Sequence, residues 1–346
     1  MRVVFRVDAS LQMGTGHVMR CLTLAQVLKE NDTNVEFICR KHQGNLIDKI
    51  YSNGFNAHEL EVLEEIEVDN KLTHSHWLGA TQQQDASECI KVLDLEKVDW
   101  IIVDHYALDE DWQRKLKPYC KKLMVIDDLA DRQFDCDILL NQNLGTKKQD
   151  YQNKVPKKCQ LLLGCDYTLL RSEFSQLRKK SLEKRKITKG IKNILISIGG
   201  SDVDNITYDI LQQLDGRFNI VAVLGKVSPH NKMIESYVKG KNVKVVVDAD
   251  NMAELMFDAD FTIGAGGSTS WERCCLGLPA LLYITAENQR MIAENLEKIG
   301  AVKIIKNLEK DLQAMNNDFY LWKSMSEESS KICDGLGASR VLECLL

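Results

Sequence analysis

The 346-residue sequence has no apolar run that approaches the length of a transmembrane helix, and it has no excess of positive charge. A membrane span needs about 20 consecutive apolar residues. The formal net charge of −5 and the pI of about 5.9 argue against non-specific binding to nucleic acid or to an anionic membrane. Arg2, Arg6 and Asp8 interrupt the first apolar stretch, which therefore predicts a strand rather than a secretory signal. We expect neither nucleic acid nor a membrane as a partner.

The sequence also lacks the cysteine spacings of zinc sites and disulfide frameworks. Its 11 cysteines include no C-x-x-C pair. Reduced, mostly buried thiols are typical of proteins of the cytoplasm, which is the location that we predict. His74 and His76 form a His-x-His pair with no acidic or cysteine companion nearby, a pattern that favours an exposed loop over a metal site. We therefore expect no metal and no other cofactor.

Two common nucleotide-binding motifs are absent as well. A dinucleotide fingerprint needs a third glycine three residues after its second. That position holds Met19 in one candidate turn and Thr269 in another. Gly225-Lys226 is followed by Val227, so no G-x-x-x-x-G-K-[ST] loop is present. The sequence thus argues against binding of NAD or FAD and against a P-loop ATPase.

What the sequence does contain is three glycine-bearing turns, each of which follows a predicted strand. They lie at residues 13–17, 197–201 and 264–269. Small residues let the backbone approach a ligand, and free N–H groups at a helix N-terminus suit a phosphate. Each turn taken singly is equally consistent with a tight strand-to-helix connection that binds nothing.

Apolar strands alternate with amphipathic stretches along the whole chain, and this order predicts parallel sheets with helices on both faces. The pattern restarts after a charged stretch at residues 178–186. We therefore predict an α/β protein of two Rossmann-like domains that face each other across a cleft. The predicted bounds are 1–180 and 190–320, with C-terminal helices at 321–346. Ligands of such sheets bind outside the carboxyl ends of the strands, where all three turns are expected.

His17 is the candidate catalytic residue. It follows the turn that contains Gly14 and Gly16, near a predicted helix N-terminus, where the helix dipole favours the neutral imidazole that can act as a base. A histidine that merely caps or packs against the helix start is the alternative. Asp8, at the end of the first strand, and Arg20, one helical step beyond His17, are placed to orient the imidazole or to contact a phosphate. Each is equally consistent with a structural partner of the other.

Other candidates for ligand contacts lie near predicted strand ends. Glu272 lies in the first turns of a helix after glycines 264–267, where its carboxylate can accept hydrogen bonds from both hydroxyls of a ribose. Favourable charge at a helix N-terminus is the alternative explanation. Tyr106 is placed to donate to a sugar or phosphate oxygen. The amides of Asn288 and Gln289 suit sugar hydroxyls or N-acetyl groups, or the cap of a helix.

Taken together, these motifs resemble those of the UDP-2,4-diacetamido-2,4,6-trideoxy-β-L-altropyranose hydrolase family of pseudaminic acid biosynthesis. The resemblance extends over almost the whole chain, although residues 61–84 contain no motif that matches. The matching motifs lie at residues 5–8, 14–22, 103–106, 126–130, 135–143, 163–164, 169–174, 199–202, 264–272, 277–279 and 286–289.

The resemblance implies a fold similar to glycosyltransferases of the two-Rossmann-domain type, including the lipid-II-forming N-acetylglucosaminyltransferase. It implies that His17 activates water for attack at the anomeric carbon, so that the C1–O bond breaks with inversion and UDP leaves. The substrate implied is a UDP-linked diacetamido-trideoxy sugar. The implied UDP-binding residues are Gly199, Gly200, Ser201, Gly266, Gly267, Ser268, Thr269 and Glu272. Those expected to support catalysis or to line the sugar pocket are Asp8, Gly14, Gly16, Arg20, Tyr106, Asn288 and Gln289.

Two other functions stay open at this point. A UDP-sugar-dependent glycosyltransferase of the same fold would need an acceptor groove, often apolar or basic. The N-terminal half contains no clear basic amphipathic stretch, which favours the hydrolase. A non-catalytic sugar-nucleotide-binding protein is the other alternative, and the position of His17 argues against it.

Overall fold

The computed structural model describes residues 1–63, 71–93, 97–200, 202–214 and 216–346, and for Glu287 and Asn288 it describes the backbone alone. The chain forms two compact units. The first contains Met1–Leu169 together with Gly337–Leu346, and the second contains Leu170–Leu336. Each unit is built on one parallel sheet. The prediction of two parallel-sheet α/β domains is therefore confirmed.

The first unit has a seven-stranded sheet in the order β3-β2-β1-β4-β5-β6-β7. Its strands are β1 (Arg2–Val7), β2 (Asn34–Arg40), β3 (Asn56–Leu60), β4 (Val98–Asp104), β5 (Cys120–Ile126), β6 (Ile138–Asn141) and β7 (Gln160–Leu163). Its helices between these strands are α1 (Gly16–Lys29), α2 (Ile47–Ser52), α3 (Gln82–Val92) and α4 (Glu110–Leu116). Short 3₁₀ helices occur at Ser75–Trp77, Lys117–Tyr119, Lys148–Tyr151 and Cys165–Tyr167.

The central strand β1 shows why this sheet forms. Val3, Phe5 and Val7 lie in one buried apolar cluster with residues of α1, whereas Val4 belongs to the cluster on the opposite face. Strands covered on both faces are expected to be apolar at nearly every position. The strand order reverses between β1 and β4, so the carboxyl ends of these two strands form the switch point where α/β sheets bind ligands.

The second unit repeats the design with a six-stranded sheet in the order β10-β9-β8-β11-β12-β13. Here the reversal lies between β8 and β11, which the two predicted phosphate turns follow. The strands are β8 (Asn193–Ser197), β9 (Asn219–Leu224), β10 (Val243–Val247), β11 (Phe261–Ala265), β12 (Ala280–Tyr283) and β13 (Lys303–Ile304). The helices are α5 (Ser172–Ile187), α6 (Ile206–Gln213), α7 (Asn231–Tyr237), α8 (Met252–Asp258), α9 (Thr269–Cys275), α10 (Glu287–Lys298), α11 (Leu308–Asn317) and α12 (Phe319–Ser330).

The observed division differs from the predicted bounds at both ends of the second unit. The charged stretch 178–186 lies inside α5 and belongs to the second unit, because Arg185 donates to backbone carbonyls at the end of α8. The last helix, α13 (Gly337–Leu345), belongs to the first unit. Its residue Val341 shares a buried cluster with Leu24 of α1. Of the helices in the described residues, none has the length and apolar character needed to cross a bilayer.

Candidate active site and nucleotide site

Carboxylates gather at the carboxyl ends of the central strands of the first unit. Asp8 follows β1, Asp104 ends β4, and Asp128 lies two residues beyond β5. Asp8 and Asp104 are each only 1% exposed. An isolated carboxylate is very costly to bury, so each must be matched by cations and hydrogen bonds.

Asp104 is matched by His17 and Arg20, which project from the first two turns of α1. Its Oδ1 atom lies 2.6 Å from His17 Nδ1. Arg20 donates to the same carboxylate twice, from Nε to Oδ2 at 2.6 Å and from Nη2 to Oδ1 at 2.7 Å. Burial by itself raises the pKa of Asp104, but the charge of Arg20 and the hydrogen bonds from Arg20 and His17 outweigh it and hold that pKa well below its usual range. The carboxylate therefore stays ionised.

This contact fixes the tautomer of His17. An ionised carboxylate only accepts hydrogen bonds, so the proton of a neutral imidazole lies on Nδ1, and Nε2 carries the free lone pair. Among the described residues, none forms a hydrogen bond with His17 Nε2, and the residue is 9% exposed. A carboxylate-oriented imidazole of this kind is the arrangement of a general base.

Tyr106 and Asp128 support the imidazole from the side. The Tyr106 ring contacts the His17 ring edge-on, with centroids 4.6 Å apart. Its hydroxyl donates to Asp128 Oδ2 at 2.5 Å, and Arg20 Nη1 donates to the same atom at 2.7 Å. Burial and the charge of Asp128 both raise the pKa of Tyr106, so the hydroxyl stays protonated. The predicted contact of Tyr106 with the sugar stays a prediction.

Asp8 belongs to a separate buried network. Its Oδ1 accepts from Arg6 Nη1 at 2.6 Å and from the backbone N–H of Arg40 at 2.6 Å. Arg6 and Arg40 also donate to Asp85, at 2.6 and 2.8 Å. The carboxylate in contact with His17 is thus Asp104, which the site prediction did not include. The predicted support of catalysis by Asp8 stays untested.

Strand alternation is the signal that separates the two carboxylates. Side chains of successive strand residues point to opposite faces, so Arg6 and Asp8 share one face and Val7 points to the other. Asp104 is the register partner of Val7, and Val7 packs in the cluster that contains α1. Asp104 therefore lies on the α1 side of the sheet, where His17 is.

Gly14 and Gly16 shape the turn that precedes His17. Gly14 has a φ of 75°, which favours glycine, and its N–H donates to the Ser10 carbonyl at 2.9 Å. Gly16 is the first residue of α1 and needs no such backbone. A Cβ added at either position would meet nothing within 4 Å. The turn therefore leaves open space at both glycines.

A ring cluster from residues 71–84 borders the same site. Trp77 stacks on the Tyr106 ring at 5.8 Å, and His74 contacts both rings, at 4.4 and 5.4 Å. Burial lowers the pKa of His74. Residues 64–70 lie outside the described chain, so the segment 61–84, which contains no matching motif, is described only in part. Within the described ranges, no group of three or more His, Cys, Asp or Glu is placed to hold a metal ion.

The turn after β8 is the first of two turns that form the candidate site of the second unit. Gly199 is exposed, has a φ of 120°, and leaves open space where a Cβ would be. The exposed Gly200 lies against Gly225, where any side chain would overlap the Gly200 carbonyl. Ser201 lies outside the described residues. Asp202 accepts from the N–H groups of Ile206 and Thr207, so its carboxylate already caps α6.

The turn after β11 leads directly into α9. Gly266 is buried, Gly267 and Thr269 are partly exposed, and Ser268 is exposed. The Ser268 side chain makes no capping hydrogen bond. Gln289 of α10 lies beside this turn, with its Nε2 3.8 Å from the place of a Cβ on Gly267. The side chain of Asn288 lies outside the described residues.

Glu272 lies in the first turn of α9, with its side chain 17% exposed. Burial raises its pKa to about 7, although Arg171 and Arg273 oppose the rise. Arg171 Nη2 lies 3.8 Å from the Glu272 carboxylate and was not predicted as a site residue. Glu272 is thus poised between its neutral and ionised forms near neutral pH, and a ligand that donates hydrogen bonds would favour the ionised form.

Several known proteins are similar to this chain in sequence or in fold. Residues 176–330 match the model of the glycosyltransferase family 28 C-terminal domain. The chain is 30% identical over 305 residues to the UDP-2,4-diacetamido-2,4,6-trideoxy-beta-L-altropyranose hydrolase of Campylobacter jejuni, which covers 87% of this chain and 97% of that relative. The chain belongs to the family of that hydrolase. The predicted family membership is confirmed.

Two further likenesses extend the comparison. An uncharacterized protein of Methanocaldococcus jannaschii is 31% identical over 312 residues, which is 87% of this chain, and the chain spans 59% of that relative's length. The crystal structure of MurG from Acinetobacter baumannii is 17% identical and covers 99% of both chains, with a TM-score of 0.68. At that identity the likeness speaks for the fold alone, which is of the glycosyltransferase-B type.

Proposed function

We propose that this protein hydrolyses the anomeric C1–O bond of a UDP-linked 2,4-diacetamido-2,4,6-trideoxy sugar, releasing UDP and the free sugar. The observation that carries the proposal is the contact of His17 Nδ1 with Asp104, at 2.6 Å, which leaves Nε2 as the basic nitrogen. The sugar is taken from the name of the Campylobacter jejuni relative. The reaction would belong to pseudaminic acid biosynthesis.

His17 is the base in the proposed step. Its Nε2 takes one proton from a water molecule while the water oxygen bonds to C1 and the C1–O bond to the diphosphate breaks. The electron pair of the broken bond leaves with UDP, and attack from the opposite face inverts C1. The imidazolium that forms is stabilised by Asp104, which Arg20 keeps ionised.

UDP recognition is assigned to the second unit. UDP is a good leaving group, so its departure needs stabilisation of negative charge more than protonation. Backbone N–H groups of the turns after β8 and β11 are proposed to bind the diphosphate, and Glu272 to accept from the ribose hydroxyls. Tyr106, Asn288 and Gln289 are proposed to line the sugar pocket. The proposed mechanism uses no metal.

A glycosyltransferase is the second candidate, favoured by the match of residues 176–330 to a glycosyltransferase domain. The same base would then deprotonate an acceptor hydroxyl instead of water. The two functions differ in a simple way, because only the hydrolase releases UDP when no acceptor is present.

The test is UDP release from UDP-2,4-diacetamido-2,4,6-trideoxy-β-L-altropyranose in H₂¹⁸O without an acceptor, with UDP-N-acetylglucosamine as the comparison substrate. We expect release from the first compound with ¹⁸O in the free sugar. Label in UDP would place the cleavage at phosphorus and contradict the role of His17. Binding of UDP without any release would favour the transferase.

A further inference from the structure

Arg273 is a buried cation directly behind the turn that follows β11. It lies on α9 and is 1% exposed. Its Nη2 donates to the Ala265 carbonyl at 2.6 Å and to Ser270 Oγ at 2.9 Å. Its Nη1 lies 2.5 Å from the place of a Cβ on Gly264. The guanidinium is therefore packed between the end of β11 and the first turn of α9.

No anion in the described part of the chain compensates this charge at close range. Arg273 forms no ion pair with a described carboxylate, and its Nε and Nη1 atoms are buried without a hydrogen-bond partner there. Burial of an unpaired guanidinium is unfavourable, and it lowers the pKa of Arg273 to about 10. The neighbouring Glu272 is a weak counter-ion, because burial raises its pKa to about 7.

Other buried arginines differ from Arg273 in their neighbours, although burial also lowers the pKa of Arg185 to about 10 and leaves its Nε without a hydrogen-bond partner in the described residues. Arg6 and Arg20 each form ion pairs with buried aspartates. Arg185 has no carboxylate at hydrogen-bond distance, but it donates to the Met256 and Ala259 carbonyls at the C-terminal end of α8, where the helix dipole is negative. The guanidinium of Arg273 instead contacts the first turn of α9, where the dipole is positive, and its acceptors are one backbone carbonyl and one hydroxyl.

We propose that Arg273 is a positioning residue for the diphosphate of UDP, acting from the buried side of the turn at Gly266–Ser268 without touching the ligand. The inference rests on the proposed function, which assigns this turn to the diphosphate. The hydrogen bond to Ala265 holds that carbonyl inward, away from an anion. The charge also raises the potential at the turn, and it acts strongly because the surrounding dielectric is low.

Substitution of Gly264 provides a second test of this inference. A methyl group there would lie 2.5 Å from Arg273 Nη1 and 2.8 Å from the Ser197 carbonyl. Glycine at this position therefore makes room for the guanidinium. Gly264→Ala should displace the guanidinium while its charge is retained, and it should weaken UDP binding in the same direction as loss of the arginine.

The experiment compares UDP with uridine, which lacks the diphosphate, in calorimetric or NMR titrations of the full chain. We expect Arg273→Met to weaken UDP binding by about tenfold, as loss of one favourable charge interaction would. Uridine binding should change by less than about twofold. Arg273→Lys, which keeps a cation, should lose less, and the control Arg185→Met should change the affinity for neither ligand. The rise in melting temperature with saturating UDP should shrink in Arg273→Met.

Several outcomes would overturn the inference. They are an equal loss of UDP and uridine affinity, as a merely structural arginine would give, and unchanged UDP binding in Arg273→Met. If that variant does not fold, Arg273→Lys and Gly264→Ala decide by the same comparison. Absence of UDP binding by the unmodified protein would overturn both this inference and the nucleotide assignment. Selective loss of UDP affinity without hydrolysis in any assay would support the role of Arg273 and contradict the proposed function.

Discussion

The two switch points of this protein handle charge in opposite ways. In the first unit, Asp104 pairs with Arg20 and His17, and Asp8 pairs with Arg6, so buried charges are matched within the protein. In the second unit, Arg273 has no such partner in the described residues, and burial raises the pKa of Glu272 to about 7. The buried charges of the first site are thus paired within the protein. In the second site, the buried cation Arg273 has no carboxylate partner among the described residues.

This difference fits the proposed roles of the two units, in which the first supplies the general base and the second binds the nucleotide. A general base must be oriented before the substrate arrives, because its contribution depends on geometry. A nucleotide site can leave charge compensation to the ligand, since the diphosphate brings the anion that Arg273 lacks. Substitutions in the first unit should therefore act on turnover and folding stability, and those in the second on nucleotide affinity.

The largest effect is expected for His17→Ala. Loss of the base should lower kcat by about 10²–10⁴-fold. UDP affinity should stay unchanged, because the proposed UDP contacts belong to the second unit. Steady-state kinetics and UDP titration measure the two quantities. Near-normal turnover would reject the assignment of His17 as the base.

Asp104→Asn should act on both turnover and stability. The amide no longer fixes the tautomer of His17, so we expect kcat to fall by about 10²-fold. It also leaves the buried Arg20 partly unpaired, which should cost about 3–5 kcal/mol of unfolding free energy. The matched control is Asp85→Asn, since Asp85 is equally buried and pairs with Arg6 and Arg40. That control should lose comparable stability and keep kcat, and an equal loss of kcat would show that stability alone explains the effect of Asp104.

Much of the fold and part of the candidate site can be predicted from the sequence, and the features that cannot be predicted depend on long-range packing. The buried strands are apolar runs that end in glycine turns, so both sheets and the position of His17 follow from local patterns. The partner of His17 does not, because Asp8 and Asp104 both stand at strand ends. The choice between them depends on the register that sets Val7 beside Asp104, and that register is a long-range property.

The sequence also does not predict that the charge of Arg273 is buried without a carboxylate partner in the described residues. An arginine after Glu272 is compatible with a neighbouring ion pair, but adjacent residues of a helix do not face each other, and none of the ion pairs in the described residues joins these two. The same holds for the unit boundary: the pattern restarts after the charged residues 178–186, which places the predicted boundary there, yet Arg185 is buried against α8. Sequence patterns predict elements well, whereas the solvation of individual charges depends on packing.

Glu272→Gln tests the second unit's site through the pH dependence of UDP affinity. The ionised carboxylate accepts from the ribose hydroxyls better than the neutral acid, and its pKa is raised to about 7 by burial. UDP affinity of the unmodified protein should therefore rise as pH increases through about 7. The glutamine variant should bind UDP about tenfold more weakly at high pH and lose this component of the pH dependence.

The control for that measurement is 2′-deoxy-UDP, which lacks one of the two hydroxyls. Because the diphosphate also titrates, the readout is the difference between the two proteins at each pH rather than either curve alone. Identical pH profiles for both proteins would contradict the assignment of the ribose to Glu272.

The smallest effect is expected from a chelator. If N–H groups and the buried charge of Arg273 stabilise the departing diphosphate, no divalent cation is needed, and excess EDTA should leave kcat unchanged. The assay follows UDP release before and after chelation, with Mg²⁺ and Mn²⁺ added back separately. A loss that either ion restores would move charge compensation from the turn to the metal. In that case Arg273→Met should have little effect when the ion is present, so the two measurements together decide which cation the nucleotide site uses.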